Sequence, residues 1–210
     1  MIVNATDWRR PTAASDAVIK QSVRDILDDI AQDTGKIADY SMQFDNFTPE
    51  FIELKPFEAY QLDEQLAHSI KQAAERIETF ARFQKQGFET KSYSDNYGQY
   101  QQIVTPIERA GCYIPGGRFP LISTALMTLI PAKVAGCKHR VAVSPSDHPA
   151  LLAAASLAGA TQFLKVGGVQ AIGALAFGFS TESSNVESVD IIVGPGNAYV
   201  NEAKAQVQSK

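Results

Sequence analysis

The chain has 210 residues, 45% of them hydrophobic and 20% charged, a balance that supports a buried core and excludes an intrinsically disordered chain. Its formal net charge is −4, with no cluster of Lys and Arg, which excludes a nucleic-acid partner held through its phosphates. The apolar stretches 121–136 and 150–160 are broken by Lys133 or too short to cross a bilayer, residues 1–12 lack the apolar block of a secretory signal, and Cys112 and Cys137 stand outside any C-x-x-C spacing, so the expectation is a cytoplasmic protein with reduced thiols and no membrane contact.

Over residues 15–33, Val23, Ile26, Leu27 and Ile30 recur at three- and four-residue intervals among Arg24, Asp25, Asp28 and Asp29, the spacing of an amphipathic helix. Ser15 is placed to cap its start, and Gly35 to close its end in the left-handed conformation. Asn46, Pro49 and Pro56 then break the periodicity, with a short strand expected at 51–54. A longer helix follows over about 62–84, with Leu66, Ile70, Ala73, Ile77 and Phe80 on one face and Lys71, Glu75, Arg76 and Glu78 on the other. Residues 86–102 are rich in Gly, Ser, Asn, Gln and Tyr and carry no helical stripe, although a hairpin fits them. The boundary between an N-terminal helical region, 1–102, and a second domain, 103–210, is expected there.

Beyond it the pattern changes. Short apolar runs at 110–114, 140–143, 162–166 and 189–193 alternate with helical segments at 123–135, 149–157, 169–177 and from 198 onward. Such alternation predicts a parallel sheet with helices on both faces. Three glycine-rich turns each follow a predicted strand and precede a predicted helix: Pro115-Gly116-Gly117, Val166-Gly167-Gly168 and Gly194-Pro195-Gly196-Asn197. Glycine is an ordinary solution for a tight connection. Three such turns at the carboxyl ends of parallel strands, where helix N-termini expose N–H groups, point further, to a nucleotide site. The G-x-G-x-x-G fingerprint is absent.

Five blocks, ERAGCYIPGG at 108–117, STALM at 123–127, PAKVAGC at 131–137, KVGGVQAI at 165–172 and IVGPGNAYV at 192–200, resemble the histidinol dehydrogenase family in the same order. Phe44-Asp45 and AAERI at 73–77 extend the resemblance toward the N-terminus, and it covers about half of the family's usual length. It implies a zinc-requiring, NAD-dependent alcohol dehydrogenase that oxidises L-histidinol to L-histidine, an oxidoreductase of histidine biosynthesis. Carried over residue by residue, the family's NAD-binding residues fall on Tyr113, Gln170 and Asn197, each near one strand-end turn. Tyr113 also reads as a core aromatic and Asn197 as a helix N-cap.

In the family the zinc ligands and the catalytic residues lie beyond the Gly-Pro-Gly-Asn turn. None is therefore expected in this chain, which alone is expected to be inactive. His68, His139 and His148 are scattered, without ligand spacing. Lys165 and Arg118 read as solvated side chains. The fold expected is an N-terminal helical region plus an incomplete Rossmann-like parallel sheet. The functional alternatives are a non-catalytic nucleotide-binding module, one half of a split enzyme, and a branch of the family acting on another small alcohol. A homo-oligomer or a complementing C-terminal chain is the expected assembly, because a shortened sheet leaves apolar faces uncovered.

Overall fold

A computed structural model of the chain describes residues 17–116 and 121–208. Helix α1, Ala17–Gln32, buries Val23, Ile26, Leu27 and Ile30, the four residues of the expected stripe. Ser15, the expected cap, lies outside the described residues. Gly35 does not close the helix in a left-handed conformation: its φ is −59°. Its N–H is held at 2.8 Å by Asp33 Oδ1, and the chain turns directly into a second helix, α2, Lys36–Asp45. That helix buries only Ile37 and Ser41, too little apolar surface to give a visible stripe. It ends at Asn46, which takes the left-handed φ of 59°, a conformation that asparagine tolerates better than most residues.

Strand β1 is short, Glu50–Phe51, and a single 3-10 turn covers Phe57–Tyr60. Helix α3, Glu64–Lys85, is capped by Asp63, whose side chain accepts the Leu66 N–H at 3.1 Å. Its buried residues are Ile70, Ala74 and Ala81, whereas Leu66 and Phe80 are exposed. The contact stripe is therefore rotated from the expected one. Small side chains line it because α3 packs along the helix α4 that follows β4. Between α3 and the sheet stands an exposed hairpin, β2 (Lys91–Ser94) and β3 (Gln99–Gln102), with Tyr93 opposite Tyr100.

The remaining elements are β4 (Arg109–Tyr113), α4 (Ile122–Ala135), β5 (His139–Ser144), α5 (Pro149–Leu157), β6 (Gln162–Lys165), α6 (Gly168–Phe177), a small pair β7 (Phe179–Ser180) and β8 (Asn185–Val186), β9 (Ile191–Val193) and α7 (Ala198–Val207). The main sheet has the order β1-β6-β5-β4-β9. β6, β5, β4 and β9 run parallel, and β1 joins β6 antiparallel at one edge.

Alternation along the strands divides the interior in two, as pleated strands require. Tyr113, Val141, Val143 and Leu164 face a core shared with α1, α6 and α7. Cys112, Ile114, Ala142 and Phe163 face a second core with α3, α4 and α5. This is the expected parallel sheet with helices on both faces. Helices from before and after residue 102 contribute to each core.

Candidate functional site

The parallel strands bring the ends of β4, β5, β6 and β9 to one edge, and the N-termini of α6 and α7 meet them there. Tyr113 closes β4. It is only 5% exposed, and burial pushes its hydroxyl above the ordinary tyrosine range, opposed by a hydrogen bond from the Gly168 backbone and reinforced by the charge of Asp45.

Gln170, in the first turn of α6, is 1% exposed. Its Nε2 donates to Asp45 Oδ2 at 2.9 Å. Asp45 is the last residue of α2, so this bond ties an N-terminal helix to the end of the sheet. Burial raises the Asp45 carboxyl above its ordinary value, and the Gln170 bond opposes that rise. The side chain of Gln170 folds back over Gly168, whose φ is +60° and where a Cβ would stand 2.7 Å from Gln170 Oε1. Any side chain at position 168 would displace the amide.

Asn197 is exposed. Its side chain accepts the Val200 N–H at 3.0 Å and so caps α7. Its turn abuts β4: a Cβ on Gly194, whose φ is +122°, would lie 2.1 Å from the Tyr113 carbonyl oxygen. The half-buried Lys204 donates to the Gly194 carbonyl at 2.7 Å, and burial lowers its pKa. The structure thus gathers Tyr113, Gly168, Gln170 and Asp45 into one group, with the Asn197 turn beside it.

Lys165 is not a free solvated side chain. Its Nζ pairs with Asp147 Oδ2 at 2.6 Å and lies 5.3 Å from the centre of the Phe47 ring. That pairing holds the Asp147 carboxyl below its usual range. Arg118 lies outside the described residues. Asp45 is the group member that reasoning from motifs did not single out. Its partner stands 125 residues away, and its only signal was its place in the Phe44-Asp45 match.

Zinc does not fit the described residues. Among the described residues no group of three or more His, Cys, Asp or Glu could hold a metal ion. His148 serves as the N-cap of α5, its Nδ1 accepting the Ala150 N–H at 3.2 Å. His68 lies on α3 and His139 begins β5. Cys112 and Cys137 are buried free thiols, and burial pushes Cys112 up to about 11. A cavity of about 200 Å³ lies at the opposite, amino ends of the strands, against Arg109, His139 and Gln162.

Fold and site together define an α/β protein with an open parallel sheet, covered on both faces, and a group of polar side chains where the strands end. Among proteins of this class, the histidinol dehydrogenase family profile matches residues 9–210. A histidinol dehydrogenase from Thermus thermophilus is 42% identical over 196 residues, 91% of this chain and 46% of the relative. One from Escherichia coli K12 is 41% identical over 208 residues, 96% of this chain and 46% of the relative. The crystal structure of histidinol dehydrogenase from Elizabethkingia anophelis superposes with a TM-score of 0.79 at 36% identity, covering 91% of this chain and 45% of that one. The chain belongs to the histidinol dehydrogenase family. It spans about half the length of the curated relatives it matches.

Proposed function

We propose that this chain is the nucleotide-holding half of a histidinol dehydrogenase, binding NAD at the carboxyl ends of the strands through Tyr113, Gln170 and Asn197. The observation that carries the reading is the gathering of Tyr113 and Gln170 around Gly168 at the carboxyl edge of the sheet, where an open α/β sheet takes its ligands. The residues suit the group. The Tyr113 hydroxyl and the Gln170 amide supply polar atoms for ribose or carboxamide groups. Asn197 keeps its Nδ2 as a donor while its carbonyl oxygen caps α7. NAD, when bound, would accept the hydride removed from an alcohol such as L-histidinol. What these residues supply is binding and orientation.

No donor set for zinc exists among the described residues, and the family resemblance puts the metal ligands and the base that would take the alcohol proton beyond the turn at 194–197. Turnover therefore requires residues from outside this chain, contributed by a complementing chain or by further sequence of the same protein. Self-association or such a complex belongs to the same proposal: Ile191 on β9 and Tyr199 on α7 are exposed beside the sheet edge. So does a cytoplasmic setting, since no helix among the described residues is long and apolar enough to cross a membrane.

Calorimetric titration of NAD into the chain, with Tyr113→Ala alongside, tests the reading. Binding that the substitution weakens, with no histidinol-dependent NADH formation in added zinc, supports it. Absence of binding sinks the nucleotide assignment, and turnover by the isolated chain sinks the claim that its chemistry needs other residues.

A further inference from the structure

The two ends of the Gln170 amide have different fates. Nε2 is anchored on Asp45 at 2.9 Å, while no hydrogen bond among the described residues engages Oε1. Ser41 Oγ is the fully buried side-chain polar atom left without a partner among those residues. Gln170 Oε1 instead stands over the glycine turn, 2.7 Å from where a Cβ on Gly168 would be, in a residue only 1% exposed. A buried amide with one end tied and its acceptor held over a turn without side chains is placed to receive a donor from elsewhere, because leaving such an acceptor unmet costs about 1–3 kcal/mol.

An amide can present either end, and its neighbours decide which. A carboxylate only accepts. Asp45 therefore selects the orientation with Nε2 toward itself and Oε1 away; the reverse would set a carbonyl oxygen against a carboxylate.

We propose that Asp45 is the positioning residue of the strand-end site, locking Gln170 so that Oε1 is offered to a hydrogen-bond donor of the ligand, a ribose hydroxyl or a carboxamide NH2. This rests on the nucleotide reading above and adds to it a statement of which ligand groups meet this turn. A second consequence follows from charge. Asp45 Oδ2 would lie 3.1 Å from a Cβ on Gly167, which sets a carboxylate at the N-terminus of α6. A helix N-terminus ordinarily attracts phosphate, but this one already faces an anion, so the phosphates of the ligand lie away from the α6 turn.

The test uses the 210-residue chain labelled with nitrogen-15, unsubstituted and as Asp45→Ala and Asp45→Asn. The side-chain amide resonances of Gln170 are followed, and each protein is then titrated with NAD and, separately, with inorganic pyrophosphate. In the unsubstituted chain the Gln170 amide protons are displaced from free-glutamine positions and exchange slowly. Asp45→Asn, which keeps a carbonyl acceptor, preserves that signature. Asp45→Ala collapses it and weakens NAD binding about tenfold, the scale of one well-placed hydrogen bond. Pyrophosphate leaves the Gln170 resonances unmoved. Resonances indifferent to Asp45→Ala, or equal losses of NAD affinity in the alanine and asparagine variants, overturn the positioning role. A strong response to pyrophosphate overturns the exclusion of phosphate. If the unsubstituted chain binds no NAD, the nucleotide reading fails by itself, and the amide resonances still decide whether Asp45 holds Gln170.

Discussion

Gly111 sits in the middle of β4 under helix α6, and a methyl group there has nowhere to go. An added Cβ would stand 2.8 and 2.9 Å from the two terminal methyls of Leu175 and 3.0 Å from a methyl of Val189. Leu175 is fully buried, and because both of its methyls crowd the same point, rotating the side chain does not clear it. Overpacking of this kind costs about 1–3 kcal/mol, and with three simultaneous contacts Gly111→Ala is expected near the upper part of that range. Leu175→Val removes one methylene and by itself costs about 1 kcal/mol, but it opens the space the new methyl needs. The double variant is therefore expected to be more stable than the sum of the two losses by about 1 kcal/mol or more. Urea unfolding of the four proteins measures the cycle. Strict additivity, or a Gly111→Ala protein as stable as its parent, would refute the claim that α6 rests directly on the β4 backbone. The site depends on that seat, because α6 carries Gln170 and β4 carries Tyr113.

Two further expectations concern the polar edge. Asn197→Asp keeps a side-chain oxygen for the Val200 N–H but removes the Nδ2 donor and adds a charge, so urea unfolding should stay within about 0.5 kcal/mol of the parent while NAD binding weakens. Asn197→Ala should lose about 1 kcal/mol of stability in the same assay, and an aspartate variant with undiminished NAD affinity would reduce Asn197 to a cap. The Asp45 carboxyl is raised from 3.8, chiefly by burial, so the folded state binds its proton more tightly than the unfolded chain does. Its ionisation then opposes folding, and the penalty is absent at pH below the ordinary carboxylate range and complete above the raised value. Relative to Asp45→Asn, the unsubstituted chain should lose stability as pH rises from about 4 toward 7; urea midpoints across that range that run parallel for the two proteins would contradict this.

The sheet and its two faces were legible because buried parallel strands and their helices leave strong marks: continuous apolar runs, the stripe of α1, and glycine turns at fixed places. What escaped had weaker marks for physical reasons. Helix α2 buries only Ile37 and Ser41, so its periodicity is faint, and Gly35 looked like a stop signal because a glycine with φ of −59° is indistinguishable in sequence from a left-handed one. The stripe of α3 was shifted because alanines allow the close approach to α4, and a reading weighted toward Leu66 and Phe80 points to the wrong face. At the site, Tyr113, Gln170 and Asn197 came from matched blocks and from the strand-end argument. The Asp45–Gln170 bond spans 125 positions and could appear only once the chain was folded.

That bond also ties the N-terminal helices to the edge of the sheet proposed to hold the nucleotide. α1 packs on α6 and α7, and α2 packs on α6, so the helix that carries Gln170 is held from one side by β4 and from the other by residues that precede position 46. Gly168 offers no side chain that could orient the Gln170 amide, whose side-chain hydrogen bond goes to Asp45. The orienting charge arrives on α2, at its last residue. A change in α1 or α2 that shifts α2 along α6 should therefore alter ligand binding at the strand ends before it alters the sheet itself.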